Sequence, residues 1–498
     1  MRFAKIVSVA SLPMFLLACS DSDPGYYPSN AKEEEPVKTP IDTIVPNDDD
    51  LLKPIERDFS LIWQQGDGSA ENPYQISNEQ ELKALAFYVN DSSMTFKDKF
   101  FKQTADIALT EAWSPIGLFG KNAYGLGNRP FSGTFDGGSK TISGMTITDT
   151  ASYMGLFGLA RGAVVKNVVL KGAKLTVGTY AGALAGKMDS SAVDNCVVED
   201  ASVTGVDRVG GLIGEASHVS VTNSSVAGVV TGENSVGGVI GRLQDGALEN
   251  LTNKADVTGK STVGGVAGAF ATTINGDGSV TEGEGFARGL FNYGKVTGTK
   301  DVGGVLATLS STTLERSGNL GAVTADESAM SNVGGVVAVA SSNAVVSEIY
   351  NAGAVTVKKV LAAGGVFGGV KSSTVTNVFN IAEVSGAATN MGGLMGIVDG
   401  NSKVDIGYNA GKVPDNNFSG TVAGKVSSTV TVSNIYYDKT VGGTCLVVAN
   451  QMNMVLPTGL STEDMKATTF VNTLNGTGSV WKAGSATFGG YPAFSWTE

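Results

Sequence analysis

Residues 209–214 read VGGLIG, residues 236–241 read VGGVIG and residues 263–268 read VGGVAG, so one short segment recurs almost letter for letter. Ten copies can be aligned, and seven of the nine spacings between them are 27 to 30 residues. The strongest copies contain a pair of adjacent glycines, whose second member is Gly211, Gly238, Gly265, Gly304, Gly335, Gly365 or Gly393. A near-constant period of this length is the sequence signature of a repeat protein.

The repeats consist mainly of Val, Thr, Ser, Gly and Asn, with few strong helix formers. Short alternating runs of this composition predict β-strands separated by turns. A unit of about 28 residues cannot bury its own apolar face, whereas stacked units share one continuous core. The sequence therefore predicts an all-β fold: a single-stranded parallel β-helix of about ten coils of roughly 28 residues, with small α/β caps at both ends.

The paired glycines have a mechanical interpretation, because glycine adopts backbone angles forbidden to other residues and lets chains approach closely. A phosphate-binding loop is the alternative, but such a loop occurs once and leads into a helix. One longer spacing, of 39 residues, marks a polar insertion at residues 272–285, which is predicted to be a loop. This loop lacks the spaced acids of a calcium site, so the sequence predicts no metal there.

Other residues recur at the same period. Two asparagine rows are predicted to hydrogen-bond from coil to coil, the first at Asn167, Asn195, Asn223 and Asn250 and the second at Asn253, Asn292, Asn319, Asn351, Asn380 and Asn409. An aromatic row follows at Tyr350, Phe379, Tyr408 and Tyr436. We expect these rings to stack as part of the structure. The alternative is an exposed platform for sugar rings, which makes these four residues the candidate ligand-binding residues.

The segments GGLIG, GGVIG and GGLMG resemble the GLUG repeat of bacterial surface and adhesin-like proteins, in which U is a bulky apolar residue. The resemblance covers about residues 155–425. It implies a β-helical stalk on a secreted or anchored protein. Some members of that family carry a peptidase domain, but this chain has no His-Glu-x-x-His motif, and its single histidine, His218, cannot supply one.

The N-terminal residues are predicted to be a targeting signal. Residues 1–18 combine a positive start with a short apolar run, which predicts a lipoprotein signal peptide. The following Cys19 closes a sequence that closely resembles a bacterial lipobox, so we expect Cys19 to carry a lipid that binds the membrane. Residues 19–60 form an acidic, proline-rich tether. Residues 20–23, Ser-Asp-Ser-Asp, resemble an export signal, which predicts the outer face of the outer membrane, with the periplasm as the alternative.

The repeat region is assigned to residues 151–433, and capping regions are predicted on both sides of it. Residues 61–150 contain a helix pattern that begins at Ser77, with Gln80 as in a capping box, and resemble the first coils of secreted β-helix proteins. Residues 434–498 have helical spacing after Ser461. The aromatic residues near the C-terminus are predicted to plug the last coil: Trp481, Tyr491, Phe494 and Trp496.

Composition narrows the functional classes. The chain of 498 residues has a net charge of −12, which argues against a nucleic-acid partner. A single histidine removes most metal sites and most nucleophile–histidine systems, and no cofactor is predicted. Cys196 and Cys445 lie far apart along the repeat axis, so both are predicted to be unpaired and buried.

These features together predict a non-catalytic, surface-exposed lipoprotein that is adhesin-like and binds an extracellular protein or glycan. One alternative is a glycan-binding accessory of a nutrient uptake system. Another is a polysaccharide lyase or hydrolase, since such enzymes also use β-helices. Catalysis would need carboxylates clustered on neighbouring coils. The acids Asp136, Asp189, Asp207 and Asp301 do not share a register, so no catalytic residue is predicted.

Overall fold

The structure, a computed structural model, describes residue 59 and residues 61–120, 127–273, 285–442, 445–451 and 456–497. These residues belong to the second of the two compact units of the chain, residues 58–498. The predicted signal peptide, Cys19, nearly all of the tether and most of the 272–285 insertion lie outside the described residues.

The strands are numbered in chain order. Strands β1 to β6 are Tyr74–Ile76, Phe100–Gln103, Ile107–Ala108, Thr134–Asp136, Thr141–Ser143 and Thr146–Thr148. Strands β7 to β22 are Phe157–Arg161, Val164–Lys166, Val169–Lys171, Lys174–Thr176, Ala185–Asp189, Ala192–Asp194, Val197–Thr204, Asp207–Gly210, Ile213–Thr222, Ser225–Thr231, Asn234–Gly237, Ile240–Asn253, Asp256–Thr258, Ser261–Gly264, Ala267–Ala271 and Phe286–Asn292. Strands β23 to β38 are Val296–Gly298, Lys300–Gly303, Leu306–Ser310, Thr313–Asn319, Val323–Ala325, Ser328–Gly334, Val337–Ser341, Val345–Asn351, Val355–Gly364, Phe367–Lys371, Thr374–Asn380, Val384–Gly392, Met395–Asp399, Lys403–Asn409, Ser419–Val426 and Thr431–Asp438.

The C-terminal strands β39 to β42 are Leu446–Gln451, Thr458–Leu460, Trp481–Lys482 and Ala493–Phe494. The helices α1 to α4 are Glu79–Asn90, Lys439–Gly442, Thr462–Lys466 and Thr468–Asn475, and one 3₁₀ turn spans Ala486–Phe488.

Strands β1 to β40 pair in parallel with strands of neighbouring coils, whereas β41 and β42 form a separate antiparallel pair. The predicted parallel β-solenoid is therefore confirmed. It has about 13 turns rather than the predicted ten. The additional turns carry β1, β2 and β4, which precede the first glycine segment. Because these coils close without the repeated segment, the period could not reveal them.

One row of inward-facing side chains shows how the coils share a core. Its Cα positions pair directly from coil to coil, through Tyr74, Phe101, Phe135, Val165, Val193, Val221, Leu248, Ala287, Leu314, Val346, Val375, Val404 and Val432. All members are buried except Val432, which is partly buried near the C-terminal end. Burying a side chain of this size contributes about 1.5–3 kcal/mol, and each neighbouring coil covers part of it.

The glycine segments line up along a single edge of the solenoid. The first glycine of each strong pair is the Cα partner of the first glycine of the next, from Gly210 through Gly237 and onward to Gly420. The expectation of unusual backbone angles was wrong for these pairs, because none of them has a positive φ. Glycine is needed at these positions because other backbone atoms approach closely. A Cβ on Gly237, for example, would lie 2.0 Å from the carbonyl oxygen of Ile240.

The second asparagine row explains the second glycine of each pair. A Cβ on Gly335 would lie 2.0 Å from the Gly365 carbonyl oxygen and 2.5 Å from Cγ of Asn351. Gly365 is related to Asn380 in the same way, since a Cβ on Gly365 would lie 2.4 Å from Cγ of Asn380. The missing side chain thus leaves the space that a buried amide fills, and the two sequence motifs form one packing unit.

Each amide of this row is buried and bonded to the next. Asn351 Nδ2 donates to Asn380 Oδ1 at 2.8 Å and to the Gly353 carbonyl at 2.8 Å, while Asn351 Oδ1 accepts from Asn319 Nδ2 at 2.9 Å. The chain of amide–amide bonds runs through Asn253, Asn292, Asn319, Asn351, Asn380 and Asn409. Buried polar groups are tolerated when they are hydrogen-bonded, and this ladder meets that condition throughout.

The first asparagine row differs in its role. Its four residues have positive φ values of 50° to 55°, which asparagine tolerates at a turn. Asn195 donates to Asn167 at 2.8 Å and Asn250 donates to Asn223 at 3.1 Å, but Asn223 donates to Asp194 instead of Asn195. This row therefore marks a corner of the coil, and its amide bonding is interrupted.

The N-terminal cap forms close to its prediction. Helix α1 buries Leu82, Leu85, Ala86 and Val89. Its N-cap is Asn78 rather than the predicted Ser77, since the Asn78 side chain accepts from the Glu81 N–H. Asparagine satisfies the free N–H groups of a helix start as well as serine does.

The C-terminal cap departs from its prediction in two ways. Helical spacing after Ser461 gives two short helices, α3 and α4, because Ala467 between them has an extended backbone. The aromatic residues do not plug the last coil, since they pack against the side of earlier coils, where Phe494 lies 5.1 Å from Phe379 and Trp496 lies 6.1 Å from Phe291. The aromatic ladder offers these side chains an apolar surface on the flank of the solenoid.

Candidate functional site

The predicted aromatic row forms a stacked ladder. The ring centroids of Tyr350 and Phe379 lie 5.3 Å apart, and those of Phe379 and Tyr408 lie 5.2 Å apart, with interplanar angles of 10° and 6°. The rings follow the spacing of the strands because Tyr350, Phe379, Tyr408 and Tyr436 are successive Cα partners. The row therefore has the stacked geometry that we expected for a structural role.

The ladder does not form an exposed sugar platform. Phe379 and Tyr408 are fully buried, Tyr350 is 5% exposed, and the half-buried Tyr436 packs edge-on against Phe470. Burial raises the pKa of the Tyr408 phenol well above its usual value. Phe379 and Tyr408 are therefore closed to a sugar, because the neighbouring rings of the ladder and the C-terminal segment surround both side chains.

A buried carboxylate fixes this covering segment to the last coil. Asp438 accepts hydrogen bonds from Tyr491 Oη at 2.7 Å and from Thr462 Oγ1 at 2.6 Å. It also accepts from the backbone N–H groups of Thr440 and Val441. Burial would raise the pKa of Asp438, but these hydrogen bonds outweigh it and the pKa is lowered. The carboxylate is therefore charged at neutral pH and holds the cap in place.

The row extends beyond the predicted residues, and the extension creates a cleft. Gly318 is the Cα partner of both Phe291 and Tyr350, so the aromatic row is interrupted by one position without a side chain. Tyr350 leans toward the gap, since a Cβ on Gly318 would lie 2.4 Å from Tyr350 Cζ. Continuing the period backward from Tyr350 could have found Phe291, but the glycine hid the continuation.

The cleft lies between this part of the coils and the C-terminal segment. It has a volume of about 430 Å³ and is lined by Phe291, Tyr293, Leu320, Tyr350, Thr487, Phe488, Trp496 and Thr497. This volume falls within the range of about 300–1,000 Å³ that is usual for ligand clefts. The cleft could not be predicted from the sequence, because its two walls are about 140 to 200 residues apart in the chain.

An ion pair supports one wall of the cleft from behind. Glu348 Oε2 accepts from Trp496 Nε1 at 2.7 Å and pairs with Arg316 Nε at 3.2 Å. These contacts orient the indole ring, which lies 6.1 Å from both Phe291 and Tyr350. The charges of Glu348 and Arg316 neutralise each other, and neither residue lines the cleft.

A second aromatic stack occurs near the N-terminal coils and was also missed. Phe119, Tyr153 and Tyr180 stack at centroid distances of 4.1 and 4.2 Å, and the Arg208 guanidinium lies 4.8 Å from the Tyr180 ring. Arg208 Nε also pairs with Glu215 at 2.7 Å. Because each inner ring face is covered by its neighbour, this stack presents mainly ring edges to solvent.

The other residues singled out from the sequence lie apart from one another in the structure. His218 lies at a corner of the coil, half-exposed, with Nε2 3.9 Å from an Asp245 oxygen. Cys196 and Cys445 are both free thiols, the first buried and the second partly buried. In the part of the chain that the structure describes, no group of three His, Cys, Asp or Glu side chains is placed to hold a metal ion. Likewise, among the described helices, none combines the length and apolarity required to cross a bilayer.

Comparisons with known proteins give two similarities. No protein-family model matches the chain. A stretch of 171 residues is 34% identical to part of halomucin from Haloquadratum walsbyi, covering 33% of this chain and 2% of halomucin. A crystal structure described as a "putative immunoglobulin A1 protease" from Bacteroides ovatus aligns with 88% of this chain and 96% of its own, at 14% identity. Its TM-score of 0.28 is too low to support an argument about fold or function.

Proposed function

We propose that this protein is a non-catalytic lipoprotein of the bacterial cell surface, adhesin-like in role, whose solenoid presents a binding surface to an extracellular ligand. The observation that carries the proposal is the aromatic cleft on the flank of a regular solenoid. The coils supply a rigid scaffold, and the C-terminal segment adds a concave site to it. A concave, aromatic-lined site on a rigid scaffold is suited to binding.

Three further features support a surface location. The sequence at Cys19 resembles a lipobox, and the acidic tether that follows would hold the solenoid away from the membrane. The Gly-Gly segments resemble GLUG repeats, which occur in surface proteins. The partial similarity to halomucin is consistent with a surface protein. Since the chain spans only 2% of the length of halomucin, that similarity indicates nothing about the ligand.

Lipid anchoring makes a direct prediction. In a bacterium with an outer membrane, the variant Cys19→Ala should lose lipid labelling and move from the membrane fraction to the soluble fraction. The physical reason is that each buried CH₂ of an attached chain contributes about 0.8 kcal/mol to membrane binding. Radiolabelled palmitate and fractionation measure the effect, with Cys445→Ala as the matched control. Unchanged membrane association of Cys19→Ala would argue against the anchor.

Surface display and binding are tested on the full-length protein. Protease added to intact cells should remove the solenoid from the wild type, and cells that display it should adhere to immobilised glycans or extracellular-matrix proteins. Protection from protease until the outer membrane is opened would instead support a periplasmic location. Release of new sugar ends from polysaccharides by the purified protein would favour the lyase or hydrolase alternative.

A further inference from the structure

We infer that the aromatic cleft binds an uncharged pyranose unit of a glycan. This inference rests on the proposed function and names the ligand class of its site. Five rings line the cleft: Phe291, Tyr293, Tyr350, Phe488 and Trp496. A pyranose ring presents C–H groups on its faces and hydroxyl groups around its edge, so it packs on an aromatic face while its edge stays hydrated.

Three of the rings that line the cleft are accessible to a ligand, whereas Tyr350 and Phe488 are buried. Tyr293 is 50% exposed, while Phe291 and Trp496 are partly exposed. Phe291 and Trp496 meet at 57°, which leaves an angled apolar corner rather than a closed stack. The missing side chain at Gly318 leaves room that the Tyr350 ring occupies, and every later position in the row carries a ring that the C-terminal segment contacts.

The polar groups of the lining favour a neutral ligand. Four of the described residues that line the cleft carry hydroxyl groups: Tyr293, Tyr350, Thr487 and Thr497. The Trp496 N–H is bonded to Glu348, and the Thr497 hydroxyl donates to the Phe494 carbonyl. Hydroxyl groups can donate to and accept from sugar hydroxyls. The nearest charges, on Glu348 and Arg316, already pair with each other. The net charge of −12 also disfavours acidic polysaccharides through long-range repulsion.

A fatty acyl chain is the main competing occupant, because aromatic walls also accept alkyl groups. The cleft is partly open to solvent, and the exposed Thr487 belongs to its lining. An acyl chain left half in water would lose much of its burial energy, whereas a sugar needs hydration along its edge. The geometry therefore favours a sugar over a lipid.

The experiment uses calorimetric titration of the full-length protein with defined probes. The neutral probes are hexasaccharides of glucose, mannose, xylose and N-acetylglucosamine, the acidic probe is hexagalacturonate, and the lipid probe is palmitate. We expect at least one neutral hexasaccharide to bind, and Tyr293→Ala to weaken its binding about tenfold, because an aromatic contact of this kind is worth about one factor of ten in affinity.

Two further variants make the result specific. Thr487→Trp should block the cleft and abolish binding without removing any ring. Phe418→Ala removes an aromatic side chain that is 60% exposed and lies outside the cleft, so it should leave binding unchanged. Thermal unfolding of each variant should stay within a few degrees of the wild type, which separates a loss of binding from a loss of fold.

The outcomes distinguish the cleft from the wider function. If a neutral glycan binds equally to the wild type, Tyr293→Ala and Thr487→Trp, the cleft is not its site, while glycan binding by the protein stands. Cleft-dependent binding of hexagalacturonate or palmitate alone would overturn the ligand class. Failure of every probe, while displaying cells still adhere to matrix proteins, would overturn the inference and leave the proposed function intact.

Discussion

Replacing Gly365 by alanine is expected to lower the free energy of unfolding by about 3 kcal/mol or more, whereas replacing Gly369 in the same coil should cost nothing. A Cβ on Gly365 would lie 2.2 Å from the Gly393 carbonyl oxygen and 2.4 Å from Cγ of Asn380. One neighbour is the backbone of the next coil and the other is a buried amide. Neither can move away without breaking hydrogen bonds between coils.

Gly369 provides the matched control. Its nearest neighbour to an added Cβ would be Asn332 Oδ1 at 3.4 Å, which is ordinary contact. Its Cα partners in the adjacent coils are Val339 and Ile397, so larger side chains already occupy this row. Gly369→Ala should be neutral or stabilise the protein by up to about 1 kcal/mol, because alanine restricts the unfolded chain.

Thermal and chemical denaturation measure the two effects, and hydrogen exchange locates them. A long repeat array need not unfold in one step, so the local protection of the coils around residue 365 is the more direct measure. Similar destabilisation by both alanines would contradict the packing role assigned to the second glycine of each pair.

The second large effect is expected at the centre of the buried asparagine ladder. Asn351→Ala removes the partner of Asn319 Nδ2, Asn380 Oδ1 and both backbone groups of Gly353. The two Gly353 groups lose their partner, whereas Asn319 Nδ2 keeps the Gly321 carbonyl and Asn380 Oδ1 keeps the Ala382 N–H. Each unsatisfied buried group costs about 1–3 kcal/mol, and each lost hydrogen bond of the ladder adds about 1 kcal/mol. We expect a loss of about 4 kcal/mol or more, measured by the denaturation midpoint together with hydrogen exchange.

Two control variants separate hydrogen bonding from volume. Asn351→Leu keeps the branched shape of the side chain but removes the same four hydrogen bonds, so it should be as damaging as Asn351→Ala. Asn250→Ala breaks an exposed amide bond at a corner where φ is 54°, and should cost only about 1 kcal/mol. Recovery of stability in Asn351→Leu would show that filling space, rather than hydrogen bonding, is what the ladder supplies.

The sequence predicted those parts of the fold that repeat. The period identified the parallel coils, the alignment of the glycine pairs and the asparagine ladder, because each coil places the same residue against its copy. The turns that carry β1, β2 and β4 were predicted as a capping region resembling the first coils of secreted β-helix proteins, but they were not counted among the ten coils because they lack the repeated segment. The reason for the glycine pairs was also incomplete, because only the structure brings Gly335 against the side chain of Asn351.

The candidate site could not be predicted from the period. It depends on the C-terminal segment, which lies along the flank of the coils instead of closing their end. Burial of Tyr408 follows from this placement, as does the position of Trp496 opposite Phe291. Contacts between residues far apart in the chain leave no periodic pattern in the sequence. Gly318 also interrupts the aromatic row, so the row could not be followed back to Phe291, which lines the cleft.

The central claim is that coils stack in register, so that each side chain meets its counterpart one coil away. Thr356 and Ser385 are Cα partners on an exposed face, with their hydroxyl oxygens 3.2 Å apart. Cysteines at these two positions should therefore form a disulfide readily. Cysteines at Thr356 and Glu383, two residues out of register, would be separated by about 8 Å between Cα atoms and should not.

Cross-linking of these two pairs is the most direct test of the account, in a background of Cys19→Ser and Cys445→Ser. The remaining thiol, Cys196, is buried, and burial raises its pKa to about 12, so it should not interfere. Under mild oxidation, we expect rapid and nearly complete disulfide formation for positions 356 and 385 and almost none for positions 356 and 383. Equal cross-linking of both pairs, or cross-linking of the second pair alone, would contradict stacking in register.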